Sequence, residues 1–137
     1  EYAAVPYEKQ YVLIDSAGMV LRISDTEPAL PLLGNMAISD MTPGKPLQVD
    51  QAYMLTDTLE LLQVVEENDI YFKRVDFSTV IIRAYIYDEL YCEGTPSNIT
   101  KNMESLQKLL QELYRQDVSR GVIRVGNDGY LAFSPTE

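Results

Sequence analysis

Between Thr79 and Tyr87 the chain reads Thr-Val-Ile-Ile-Arg-Ala-Tyr-Ile-Tyr. Side chains of a strand alternate between its two faces, so Val80, Ile82, Ala84 and Ile86 share one side and Arg83, Tyr85 and Tyr87 the other. A run of period two does not produce an amphipathic helix. It calls for a sheet with one buried face and one wetter, aromatic face. Apolar runs on both sides extend that sheet: Tyr71 to Phe77 before it, and Leu90 to Glu93 after a connection of hairpin length through Asp88-Glu89.

Two more hairpins bracket the chain. Tyr11 to Asp15 and Met19 to Ser24 surround Ser16-Ala17-Gly18, where Gly18 supplies the positive φ of a turn. At the other end, Val122-Ile123-Arg124-Val125 and Tyr130-Leu131-Ala132-Phe133 surround Gly126-Asn127-Asp128-Gly129, a strong hairpin signal. With a two-residue loop, whether Asn127-Asp128 or Asp128-Gly129, Arg124 shares a face with Val122, Leu131 and Phe133. A closing strand with free backbone groups is a template for another chain.

Helical spacing occurs twice. From an N-cap at Asp50 to about Asn68, Ala52, Leu55, Leu59, Leu62 and Val65 recur at three- and four-residue intervals. After a turn at Thr95 to Asn98, a helix capped by Ser97 or Asn98 carries Ile99, Met103, Leu106, Leu110 and Leu113 and ends near Gln116. Thr26 to Pro46 holds four of the seven prolines. Its Leu30, Leu32, Leu33, Met36 and Ile38 are too apolar for a free linker, so an ordered crossing loop is expected. The order is ββ, loop, α, βββ, α, ββ: a single α+β domain with a largely antiparallel sheet, two amphipathic helices and a C-terminal hairpin.

Composition narrows the chemistry. The 137 residues suit one domain, and 46% hydrophobic with 23% charged is ordinary for a globular fold. A chain that opens on Glu1 is expected to be a piece of something longer. The net charge of −10 repels phosphate backbones and argues against nucleic acid as a partner. Histidine is absent, which removes the commonest general base and the commonest zinc ligand. Cys92 is the one cysteine and reads as a small buried apolar residue. No phosphate loop, dinucleotide fingerprint or calcium-loop spacing is present, and the serines have no histidine base. No catalytic residue, cofactor or metal is expected.

In order and spacing these pieces resemble the extracytoplasmic β domain of the bacterial cell-division proteins DivIB and FtsQ. Glu1-Tyr2-Ala3-Ala4-Val5-Pro6 is similar to the close of the preceding POTRA domain, leaving 7–137 as the β domain. Tyr11 to Val20 is similar to the family's first hairpin, and Leu30-Pro31-Leu32-Leu33-Gly34 to its "LP.l.G" segment. The second helix, with Met103, Leu106 and Leu110, and the closing stretch Val122 to Pro135 complete the resemblance. The chain departs from the family at Asn102, where lysine is usual, and at Val122 or Ile123, where an acid is common.

The resemblance implies a single-pass cell-membrane protein with this domain on the extracytoplasmic side at the division septum. It implies a non-enzymatic scaffold for septal cell-wall synthesis, with FtsL and DivIC (the FtsB counterpart) as partners received by strand addition. Arg124 matches the family's partner-contacting arginine and Phe133 its C-terminal aromatic anchor. The expected partner-binding set is Val122, Ile123, Arg124, Val125, Tyr130, Leu131 and Phe133. The alternative is an extracellular peptide- or peptidoglycan-binding module using a tyrosine face of Tyr85 and Tyr87.

Overall fold

A computed structural model describes residues 1–126 and 130–135. The alternating run forms a strand over Ile82–Tyr87, β8, with Ile82 and Ala84 fully buried. The strands in chain order are β1 (Ala3–Tyr7), β2 (Gln10–Ile14), β3 (Val20–Ser24), β4 (Leu32–Gly34), β5 (Ile38–Asp40), β6 (Gln48–Val49), β7 (Arg74–Phe77), β8, β9 (Glu89–Gly94), β10 (Arg120–Val125) and β11 (Leu131–Ser134). The helices are α1 (Ala52–Glu67), α2 (Pro96–Lys101) and α3 (Met103–Arg115). None is long and apolar enough to cross a membrane.

Nine of these strands make one sheet in the order β11-β10-β9-β8-β7-β4-β1-β2-β3, and β5 pairs with β6 in a small separate ribbon. The sheet is mostly antiparallel, and the fold is the expected α+β domain with a C-terminal hairpin. Parallel pairing occurs at β1–β4, β4–β7 and β9–β10. The last two follow from crossovers through helices, since a parallel neighbour needs a long connection.

One face of the sheet is the core. Val5, Val12, Leu33, Val75, Ala84, Cys92 and Ile123 lie on it and pack in one cluster with Leu55, Leu59, Leu62, Ile99 and Leu106 of the helices. The other face carries Arg124, Glu93, Arg83 and Asp76 in register across four strands, with Val122, Tyr91, Tyr85 and Arg74 beside them. Tyr85 and Tyr91 are ring neighbours at 4.9 Å, and the Arg83 guanidinium sits 5.6 Å from the Tyr91 centroid. Gly18 holds φ +84° in the first hairpin, where the Asp15 carboxylate accepts from the N–H groups of Ala17 and Met19.

Several expectations need correction. The proline-rich stretch is not only a crossing loop: β4 lies in the middle of the sheet, between β1 and β7, with Leu33 fully buried. Three residues are too short for a periodicity to show. Residues Ala3–Tyr7, not read as a strand, form β1 between β2 and β4, with Ala3, Ala4 and Val5 buried. The cap of α1 is Gln51 and its side chain makes no capping bond; the Asp50 N–H instead donates to the Ala37 carbonyl. The second helix begins at Pro96, with Thr95 as N-cap accepting from the Asn98 N–H at 3.1 Å, and it breaks at Asn102 into α2 and α3. Proline at the first helical position suits its fixed φ and missing N–H.

A bulge changes the tyrosine face. Tyr85 pairs with Tyr91, but the next paired residue, Tyr87, lies opposite Leu90, which belongs to the core face. The extra residue moves Tyr87 off the side that Tyr85 occupies, so the two do not form one platform.

Candidate partner-binding edge

β11 is the last strand of the sheet, bonded only to β10 among the described residues. Val122 pairs with Ser134, Ile123 with Phe133, Arg124 with Ala132 and Val125 with Leu131. The Gly126 N–H donates to the Tyr130 carbonyl at 2.9 Å. Hydrogen-bonded and non-bonded pairs alternate in an antiparallel ladder. Arg124/Ala132 and Val122/Ser134 are therefore the bonded pairs, and the N–H and C=O groups of Leu131 and Phe133 face outward.

The opposite edge differs. At the start of β3, the Val20 N–H donates to the Lys45 carbonyl at 2.9 Å and its carbonyl accepts from the Gly44 N–H at 2.8 Å. A bridge between Met19 and Pro46 continues this cover. A loop thus occupies part of that edge, a common way to blunt it, whereas β11 has no such cover among the described residues.

The register also corrects the expected face. Gly126 pairs with Tyr130, so three residues separate them rather than two, and every side chain of β11 changes side relative to the two-residue reading. The turn itself, 127–129, lies outside the described residues. Leu131 and Phe133 share the core side with Ile123 and Val125, and Arg124 lies on the opposite side with Val122, Ala132 and Ser134.

The seven expected residues therefore divide. Ile123 and Val125 are buried core residues. Val122 is buried on the open face. Leu131 and Phe133 are half-buried and pack against the core margin. Arg124 is exposed, donates from Nη1 to the Ser134 hydroxyl at 3.2 Å, and makes no ion pair among the described residues. Tyr130 is 66% exposed. Nearby, Arg120 pairs with Glu89 at 2.6 Å across β10 and β9. The edge thus offers arginine on one face and an aromatic on the other, in a protein that is otherwise strongly acidic.

Two residues of the site escaped sequence reasoning. Gly121, at φ +139°, has no side chain because the Phe133 ring occupies that space: a Cβ would stand 2.5 Å from Cε1, 2.7 Å from Cζ and 2.8 Å from the Ser134 carbonyl. A glycine inside an apolar strand marks such a close approach. Ser134 holds the Arg124 guanidinium, and no local pattern signals it. Chemistry elsewhere is quiet. Burial pushes the Cys92 thiol up to about 12, far from a reactive thiolate. Among the described residues no three metal-binding side chains converge. No family model matches the chain, and no curated protein matches it at a significant level.

Proposed function

We propose that this domain is a non-enzymatic scaffold of the extracytoplasmic division machinery, and that β11 receives an extended segment of a DivIC/FtsB-type partner, with FtsL in the same assembly. The reading rests on the DivIB/FtsQ resemblance for its biology. One observation carries its physics: the backbone groups of Leu131 and Phe133 face outward at an end of the nine-stranded sheet that no described residue covers.

Those two residues offer four hydrogen-bonding groups. At a net ~1 kcal/mol each they supply about 4 kcal/mol, millimolar binding at best. Tighter docking needs side-chain anchors. Phe133, half-buried at the rim, and the exposed Tyr130 and Arg124 are of the types that dominate interface energetics. Because Arg124 and Phe133 lie on opposite faces, a partner strand reaches both only through residues of opposite parity.

Calorimetric titration with a DivIC ectodomain tests the proposal. Phe133→Ala and Arg124→Glu are expected to weaken binding about tenfold or more each, with the far-ultraviolet circular dichroism unchanged. Unchanged affinity for both variants removes the edge as the docking site.

A further inference from the structure

A pocket of about 410 Å³ lies at the C-terminal end of α1, among the residues that lead into β1, β4 and β7. Leu62, Val65, Ile70 and Phe72 form its buried apolar floor, and Leu30 and Pro31 a half-buried wall. The side chains that bring polar atoms are the carboxylates of Glu1, Glu66 and Asp69 and the phenols of Tyr2 and Tyr71. Among the described residues no lysine, arginine or side-chain amide lines it. The site shares no described residue with the β11 edge, so either can fail without the other.

Electrostatics decides what such a pocket takes. Glu1 is already paired with Arg22 at 2.5 Å. Glu66 and Asp69 are exposed, and their carboxylates have neither an ion pair nor a hydrogen bond among the described residues. They stand at the end of α1 with Glu67 between them, and the last turn holds no basic residue. A helix C-terminus is the negative end of the macrodipole, so it disfavours these anions and attracts a cation. The stretch itself supplies none: Pro46 to Phe72 carries Asp50, Asp57, Glu60, Glu66, Glu67 and Asp69 and no lysine or arginine. A second sign is independent of the acids. The Tyr2 hydroxyl is buried at the pocket wall and has no hydrogen-bond partner among the described residues. A buried orphan of this kind costs stability and calls for a partner. Burial first, and then the charges of Glu66 and Glu67, raise its pKa above the usual tyrosine value, so it stays a neutral phenol.

We propose that this pocket binds a lysine side chain of a partner segment that carries an apolar residue beside it. The aliphatic stem lies on Leu62, Val65 and Ile70, and the ammonium meets Glu66, Asp69 and the Tyr2 hydroxyl. An ammonium is a compact charge with three donors, one for each of those acceptors, whereas a guanidinium is a planar fork suited to one bidentate carboxylate. The stem covers apolar surface while the charged head stays at the wet rim. An anionic ligand is repelled here, and a purely apolar one leaves the carboxylates unpaired. A free amine gains too little, because exposed ion pairs contribute weakly; the neighbouring apolar residue, on Leu30 and Pro31, supplies the rest.

The test uses the whole chain with ring-labelled tyrosines and the peptide acetyl-Leu-Lys-Leu-amide, followed by two-dimensional NMR. The ring signals of Tyr2 and Tyr71 are expected to shift saturably, with a Kd on the order of 1 mM. Glu66→Gln and Asp69→Asn are each expected to weaken binding about threefold, the size of one exposed ion pair. Glu60→Gln removes the same charge from an exposed position of α1 outside the pocket and is expected to leave binding unchanged. The same peptide with glutamine in place of lysine is expected to produce no saturable shift. No saturable shift with the lysine peptide, equal weakening by Glu60→Gln, equal binding of the glutamine peptide, or butylamine binding as tightly as the lysine peptide would each overturn the proposal.

Discussion

Replacing Gly121 with alanine probes how the terminal hairpin is built. The backbone there has φ +139°, a conformation essentially reserved for glycine, and an L-residue in such a region costs about 1–3 kcal/mol. The new Cβ also meets three atoms inside 3 Å: Cε1 and Cζ of Phe133 and the carbonyl oxygen of Ser134. The ring has room to swing out, which forfeits the burial of about half a phenylalanine side chain, roughly 1 kcal/mol. The Ser134 carbonyl is backbone, so relief there requires β11 itself to move, at the Val122–Ser134 end of its ladder. Gly121→Ala is therefore expected to lower the unfolding free energy by about 2–4 kcal/mol, read as a shift of the urea midpoint at constant slope. A double-mutant cycle with Phe133→Ala isolates the ring contact. The double variant should be less destabilised than the sum of the single changes by about 1 kcal/mol, because without the ring the methyl has two fewer atoms to displace. A loss under about 0.5 kcal/mol, or strict additivity, would refute the reasoning.

Thr58 is fully buried on α1 and its hydroxyl has no hydrogen-bond partner among the described residues. Thr58→Val keeps the shape and removes an unsatisfied group, so thermal unfolding should show a gain of about 1 kcal/mol. Both long helices end with an aspartate at positive φ, and at the end of α3 Asp117 has φ +59° while the Val118 N–H bonds the Leu113 carbonyl at 2.8 Å. Asp117→Gly relieves the left-handed strain and removes an anion from a helix C-terminus, worth about 0.5–1 kcal/mol by chemical denaturation. Proline scanning of β11 separates docking from folding. Leu131→Pro removes an outward N–H and should weaken partner binding about tenfold while β10 and β11 stay paired. Ala132→Pro removes a ladder N–H and should fray the strand, seen as faster amide exchange at Arg124. Cys92 should stay unreacted with a thiol reagent at pH 8 until the protein unfolds, since burial keeps its proton on.

The alternating run at β8, the stripes of α1 and α3 and the Gly18 turn were legible because each is written in a local period or a single conformational requirement. Ile82 and Ala84 face the core where alternation puts them, and Leu55, Leu59, Leu62 and Val65 are buried together. The edge position of the last strand was an expectation from its place at the end of the chain, and β11 does end the sheet. β4 was not legible: its three residues become a central strand only because β1 and β7 lie on either side. The bulge in β8 was equally silent, and it alone moves Tyr87 off the side that Tyr85 occupies.

Local sequence thus determined the longer strands and helices, the side chains that turn inward along them, and the absence of histidine and of any second thiol. Those properties depend on residue type and on spacings of two to four positions. Only the tertiary structure decided which strands are neighbours, that one residue more between the paired strands places Arg124 and Phe133 on opposite faces, and that Gly121 is the space in which the Phe133 ring lies. Pairing register is a relation between distant segments, and a shift of one residue reverses a face without changing any local pattern.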